Sequence, residues 1–209
     1  MRPALKLYVS SMTALGWAAL GLAAWSLVTT PSHPAWLLFA AAAIVTGSFT
    51  MQLGSAETSI SVADVFFIAC ALLYGPATAT VALAADSLIM SLLRRRHGAL
   101  RVLFNSAAPA LSMFVASKLC FAIAGVAPLA DSHAPITALI APVLVLALVY
   151  FTLNCGLVAI AVAFESSQSF VQVWRKHFLW LGIGYFASAS VAFCLVLLIQ
   201  QSSLVAAVM

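Results

Sequence analysis

Residues 7–29 read LYVSSMTALGWAALGLAAWSLVT, and after a break at residues 30–34 (TPSHP) residues 35–53 continue AWLLFAAAAIVTGSFTMQL. No Asp, Glu, Lys or Arg occurs between Lys6 and Glu57. A helix needs about 20 apolar residues to cross the hydrocarbon core of a bilayer, and prolines end helices. The stretch therefore predicts two membrane spans that are separated by a turn.

The rest of the chain has the same composition. Of its 209 residues, 65% are hydrophobic and 7% are charged, and the mean hydropathy is +1.14. This composition excludes a soluble globular domain, because so few charged side chains cannot cover a surface that faces water. We therefore expect an all-α integral membrane protein in which residues 1–209 form a single transmembrane domain. We expect no enzyme activity, no catalytic residue and no cofactor, since the sequence contains no complete catalytic motif.

Helix-breaking residues divide the chain into about seven predicted spans and the start of an eighth. Gly75-Pro76 separates the third span from the fourth, and the sequence RRRHG at residues 94–98 closes the fourth. The predicted spans cover residues 7–29, 35–53, 62–74, 77–93, 99–124, 136–164 and 178–199, and residues 204–209 begin a further one.

The positive charges indicate orientation rather than nucleic-acid binding. The formal net charge is +4, and in membrane proteins Lys and Arg concentrate on the cytoplasmic side. With seven crossings and a cytoplasmic N-terminus, only Lys118 lies toward the far side. The cytoplasmic side then holds Arg2, Lys6, Arg94, Arg95, Arg96, Arg101, Arg175 and Lys176. We expect a multi-pass protein of the bacterial cytoplasmic (inner) membrane, with lipids among its partners.

Two basic segments are predicted lipid and topology anchors. Residues 94–96 form an arginine cluster at the membrane surface, where each basic residue contributes about 1 kcal/mol of attraction to anionic lipid. Residues 165–177 are polar, yet their aromatic residues fall on one helical face, which is typical of an interfacial helix. The predicted anchor residues are Arg94, Arg95, Arg96, Trp174, Arg175 and Lys176.

The cysteine and histidine positions do not predict a metal site. The cysteines occur in apolar stretches without a CxxC pair, which is typical of small buried hydrophobic residues. His33 and His133 lie in loops and are far apart in sequence.

Several polar residues within the predicted spans are the candidate ligand-binding residues. An ionisable side chain inside a membrane costs about 2.5–3.5 kcal/mol on insertion, so it usually faces the bundle interior. Asp64, Asp86 and Asn105 all lie in the cytoplasmic halves of their spans, and Arg101 flanks Asn105. We expect these four residues to line one polar pocket, with Asn154 as a weaker candidate for it.

An alternative interpretation assigns the same residues to packing. In that case Asp86 pairs with a neighbouring arginine, and Asn105 forms a hydrogen bond across a helix interface. Intramembrane polar groups often have this role, so the sequence leaves the choice between packing and ligand binding open.

Several motifs resemble a known family. They are residues 59–67 (SISVADVFF), 72–76 (LLYGP), 84–88 (AADSL), 101–105 (RVLFN) and 185–192 (YFASASVA). Together they resemble the multi-helix membrane sensor domains that precede bacterial HD-GYP and GGDEF output domains. The resemblance implies a further helix after the seventh span and a cytoplasmic output domain.

The third-span entry and the Gly-Pro turn are also similar, more remotely, to the S components of energy-coupling-factor vitamin transporters. The predicted orientation is inverted relative to those proteins, and this chain has an additional N-terminal helix.

The leading hypothesis is a noncatalytic sensory input domain that couples a ligand or membrane signal to a cytoplasmic output, in some cases as a homodimer. The alternatives are a structural subunit of a larger membrane complex and the substrate-binding subunit of a vitamin-type transporter.

Overall fold

The computed structural model describes residues 3–30, 32–47, 51–52, 59–60, 62–93, 98–130 and 135–201. In these ranges the chain forms eight α-helices, one π-helical segment and one antiparallel pair of two-residue strands. The helices confirm the predicted all-α membrane bundle. The helices are α1 (Pro3–Thr29), α2 (Trp36–Gly47), α3 (Ala63–Tyr74), α4 (Pro76–Leu93), α5 (Ala99–Ala124), α6 (Ile136–Ser166), α7 (Phe170–Val173) and α8 (Leu181–Gln201). The π-helical segment is Trp174–Phe178, and the strands are β1 (Met51–Gln52) and β2 (Ser59–Ile60).

Five of the described helices are long and apolar enough to cross a bilayer, namely α1, α4, α5, α6 and α8. Helices α2 and α3 have 12 residues each, which corresponds to about 18 Å and is less than the hydrocarbon thickness of about 30 Å. The predicted arginine anchors at residues 94–96 and the predicted eighth span at residues 204–209 lie outside the described residues.

The second predicted span, residues 35–53, is corrected by the structure. Helix α2 ends at Gly47, and Met51–Gln52 pairs with Ser59–Ile60 as an antiparallel ribbon. Hydropathy alone did not predict this end, because Phe49, Met51 and Leu53 keep the segment apolar. Gly47 is a poor helix former, and the β-branched Thr46 before it lowers the helix propensity further.

Helix α3 is the centre of the bundle. It contacts α2, α4 and α8, and all side chains from Phe67 to Leu73 are at most 1% exposed. A helix that is apolar on all sides is typical of a core element rather than a surface helix. The short length of α3 is therefore compatible with its position, because neighbouring helices surround it.

The C-terminal end of α3 is closed by hydrogen bonds from other parts of the chain. The backbone N–H groups of Leu129 and Ala130 donate to the carbonyl oxygens of Leu72 and Leu73, each at 2.9 Å. At the following turn, the Thr78 hydroxyl donates to the Gly75 carbonyl oxygen at 2.9 Å. These bonds satisfy carbonyl groups that a helix end would otherwise leave without partners.

Helix α1 packs closely against α5 at Gly16. A Cβ atom placed on Gly16 would lie 2.6 Å from the carbonyl carbon of Ala107. Farther toward the N-terminus, Leu5 and Val9 of α1 pack against Phe104 and Ala108 of α5 in a separate small cluster. Small residues at such a contact allow two membrane helices to approach each other.

This contact predicts the effect of adding one methyl group. Gly16→Ala should lower the free energy of unfolding by about 1–3 kcal/mol, because the backbone of α5 blocks the new Cβ. Gly21→Ala in the same helix is the matched control, since no atom lies within 4 Å of its added Cβ. Thermal unfolding in detergent micelles measures both effects. Equal stability of the two variants would show that α1 does not pack on α5 in this way.

Candidate functional site

A polar cavity of about 240 Å³ lies between α3, α4, α5, α6 and α8. Its apolar walls come from residues such as Phe67, Leu83 and Pro109. Its polar lining residues are Asp64, Asp86, Ser87, Tyr150, Asn154 and Tyr185. We call it the Asp64 cavity.

Two favourable interactions stabilise the carboxyl group of Asp64 at the N-terminal end of α3. It lies in the first helical turn, where the helix dipole stabilises a negative charge. The Tyr150 hydroxyl of α6 donates a hydrogen bond of 3.1 Å to Asp64 Oδ1. Because Tyr150 is only 1% exposed, this bond connects α3 to α6 inside the bundle.

The aromatic rings extend this connection to α8. The rings of Tyr150 and Tyr185 pack edge to face, with centroids 5.1 Å apart. Asn154 Nδ2, one turn after Tyr150 in α6, donates to the Tyr185 hydroxyl oxygen at 2.6 Å. Asp64, Tyr150, Tyr185 and Asn154 therefore form a continuous polar and aromatic contact across α3, α6 and α8.

Asp86 enters the same cavity from α4 but lacks such support. The residue is 9% exposed, and its Oδ1 atom accepts no hydrogen bond from the described part of the chain. Gly47 lies beside it, so that a Cβ atom placed on Gly47 would be 3.4 Å from Asp86 Oδ1. The carboxyl groups of Asp64 and Asp86 are close enough to interact electrostatically.

The charge of the Asp64 cavity is unbalanced. Its described lining residues include two carboxyl groups and neither Lys nor Arg. Ionising both carboxyl groups in a region of low dielectric is unfavourable unless a proton, a cation or a hydrogen-bond donor accompanies them. The arrangement is therefore suited to binding a proton or a small positively charged group.

The structure brings together Asp64, Asp86 and Asn154, but it separates Arg101 and Asn105 from them. Arg101 and Asn105 line a different cavity of about 200 Å³, where Arg101 forms an exposed ion pair with Glu165. The expectation of one pocket for all these residues is therefore wrong. The depth of a residue along its helix does not determine which neighbour it faces. Helix α5 packs against α1, α4 and α6, and its face with Arg101 and Asn105 lies against α1 and α6.

Sequence reasoning did not identify Tyr150 and Tyr185 as site residues. Tyr150 precedes Asn154 by four positions, so the two polar groups lie on the same face of an otherwise apolar helix. This spacing was a usable signal. Tyr185 has no comparable partner on its own helix, and only the packing of α8 against α6 shows its role.

The predicted interfacial segment begins with a capping box at Ser169 and Gln172 and continues as the π-helical segment Trp174–Phe178. Arg175 and Lys176 are exposed, as an anchor requires. Trp174 is half-buried, and its ring lies 5.4 Å from that of Phe151 on α6. Trp174 therefore packs against the bundle, while lipid contact by this segment stays a prediction.

The described residues contain neither a metal-binding cluster nor a disulfide. No group of three or more His, Cys, Asp or Glu side chains in the described ranges is arranged to hold a metal ion. The four cysteines have free thiols, of which Cys70, Cys120 and Cys155 are buried and Cys194 is exposed.

Comparison with known proteins gives one family. A family model described as MASE9 matches residues 31–207, which is most of the chain. No curated protein and no solved structure matches the chain.

The bond between Tyr150 and Asp64 predicts an energetic coupling. Tyr150→Phe should lower the free energy of unfolding by about 0.6–1.7 kcal/mol, the range for hydrogen bonds between membrane helices. In an Asp64→Asn background the loss should be smaller, because an amide oxygen is a weaker acceptor than a carboxylate. Equilibrium unfolding in mixed micelles measures the double-mutant cycle.

Asp86→Asn provides the matched background, since Asp86 is not bonded to Tyr150. There the loss caused by Tyr150→Phe should stay within about 0.5 kcal/mol of its value in the unmodified chain. Equal coupling to both aspartates, or coupling to neither, would contradict the specific bond.

Proposed function

The chain belongs to the MASE9 family of membrane-associated sensor domains, and we propose that it is a noncatalytic input domain that couples a small ligand to a cytoplasmic output. The family match confirms the resemblance to membrane sensor domains at this level. The sensor is proposed to lie in the bacterial cytoplasmic membrane, and its output is proposed to be a cytoplasmic HD-GYP or GGDEF domain, because the sequence motifs resemble sensor domains that precede such outputs.

The observation that supports this proposal is the contact from Asp64 through Tyr150 to Tyr185. It connects the central helix α3 with α8, the last helix of the described chain, through a hydrogen bond of 3.1 Å and an edge-to-face ring contact of 5.1 Å. A ligand that changes the charge or hydrogen bonding of Asp64 would change this contact. The preferred position of α8 would change with it, as in a two-state population shift.

The proposed ligand is small and positively charged or a hydrogen-bond donor. A volume of about 240 Å³ is below the usual range of about 300–1,000 Å³ for sites that hold drug-sized molecules. Two carboxyl groups without a basic partner among the described lining residues favour a cation or a proton. The unpartnered Asp86 Oδ1 is the atom that such a ligand would contact first.

The π-helical segment offers a second contact for the transmission of the signal. The ring of Phe151 lies 5.4 Å from Trp174 and 5.5 Å from Tyr185, so one side chain of α6 touches both the π-helical segment and α8. Short π-helical segments occur frequently at functional sites. A change at Tyr185 would therefore also reach the exposed basic residues Arg175 and Lys176.

The proposal predicts that Asp86→Asn separates signalling from folding. The change in the cellular level of cyclic dinucleotide that the whole polypeptide produces in response to its signal should be at least 10-fold smaller in this variant. The amount of folded protein in the membrane should change little, because no described residue donates a hydrogen bond to Asp86 Oδ1. Fluorescence-detected size-exclusion chromatography measures that amount.

Glu165→Gln is the control for loss of one carboxylate, since Glu165 is exposed and paired with Arg101. It should leave the response unchanged. A collapse of folded protein in Asp86→Asn would instead favour the packing interpretation, and an unchanged response would reject the proposed site.

The proposed cytoplasmic output domain predicts the size of the natural polypeptide. Its intact mass, measured after isolation from the native membrane, should be well above the 21.9 kDa of the 209-residue chain. A mass of 21.9 kDa would remove the output domain and favour a structural subunit or a carrier.

A further inference from the structure

A second cavity, of about 810 Å³, lies at the opposite end of α3 from Asp64. It is formed where α1 and α5 end, where the turn Gly75-Pro76 joins α3 to α4, and by residues just after α1. Its polar lining residues are Ser26, Thr30, Ser32, His33, Tyr74 and Lys118. We call it the Lys118 cavity.

The charge of the Lys118 cavity is opposite to that of the Asp64 cavity. Its described lining residues include Lys118 and His33 and no Asp or Glu. Among the described residues, no carboxylate lies within ion-pair distance of Lys118. The ammonium group instead lies 5.8 Å from the ring centroid of Phe114, a contact that does not neutralise its charge.

The first turn of α4 adds to the positive potential of this cavity. Pro76 and Ala77 line the cavity and are the first two residues of an 18-residue helix, whose N-terminal end carries partial positive charge. Gly75 before them has φ of 95°, and a Cβ atom placed on it would lie 3.1 Å from Pro128 Cγ. The turn is therefore fixed in a conformation that brings the start of α4 to the cavity.

The apolar part of the lining determines what kind of anion is suited to the cavity. Leu22, Phe114 and Pro128 form walls beside Lys118. A volume of about 810 Å³ lies within the usual range of about 300–1,000 Å³ for small-molecule sites. An occupant that combines one phosphate group with an apolar or neutral portion would satisfy both parts of the lining.

We propose that the Lys118 cavity binds a phosphate group that belongs either to an anionic lipid headgroup or to a free organic phosphate. Lys118 supplies the charge, and the Ser26 and Ser32 hydroxyls of the lining are the hydrogen-bond donors. The site is separate from the Asp64 cavity, so the Asp86→Asn variant should bind the same anion as the unmodified chain. Failure of the proposed sensor function would therefore not affect this test.

Native mass spectrometry of the whole chain in micelles tests the proposal, with dioleoylphosphatidylglycerol as the lipid probe and dioleoylphosphatidylcholine as the neutral reference. The anionic lipid should bind at least 10-fold more tightly to the unmodified chain than to Lys118→Gln. Lys118→Arg should restore binding to within threefold, because it restores the positive charge. Lys118 is exposed, so neither substitution should impair folding.

Lys6→Gln is the matched control, since it also removes one exposed positive charge but lies on α1 far from the cavity. It should change binding by less than twofold. Competition by glycerol 1-phosphate against the lipid would identify a free phosphate as the source, and its failure to compete would identify the lipid headgroup. Equal binding of the two lipids, or equal losses in Lys118→Gln and Lys6→Gln, would overturn the proposal.

Discussion

The structure depends on satisfying the backbone hydrogen bonds of α3, a 12-residue helix that is surrounded by protein. Away from water, each unsatisfied N–H or carbonyl group costs several kcal/mol. The carbonyl groups of Leu72 and Leu73 accept bonds from the segment after α5, and Thr78 closes the following turn. These bonds hold α3, α4 and the end of α5 in one arrangement, so the position of α3 determines where the polar groups at its two ends are placed.

The two cavities lie at the two ends of this helix. Asp64 belongs to the first turn of α3, and Tyr74 is its last residue, so about 15 Å of helix separates the Asp64 cavity from the Lys118 cavity. Because α3 is packed on all sides, it transmits displacement as a unit more readily than it bends. In the proposed function, occupation of the Asp64 cavity would bias the position of α3 and thereby the contact of Tyr150 with α8.

Much of the fold was predictable from the sequence, since apolar length and helix-breaking residues mark each of the long helices. The end of α2 was not, because the apolar residues after Gly47 look like a continued span. The site was predictable in part. Asp64, Asp86 and Asn154 were identified as costly polar residues within apolar helices, but the separation of Arg101 and Asn105 depends on which helix α5 faces. That depends on the packing of side chains from several helices, which a single sequence does not specify.

The packing interpretation and the ligand interpretation predict different hydrogen bonding for each polar group. A group that only fixes packing should be satisfied by its neighbours, and the bonded pair of Asn154 and Tyr185 meets that condition. Asp64 also has a donor in Tyr150 and a favourable helix end. Asp86 Oδ1 has no donor among the described residues, although a buried acceptor without a partner costs about 1–3 kcal/mol. Packing therefore accounts for Asn154 and Tyr185, whereas Asp86 Oδ1 has no partner among the described residues, which is what the proposed ligand interpretation expects.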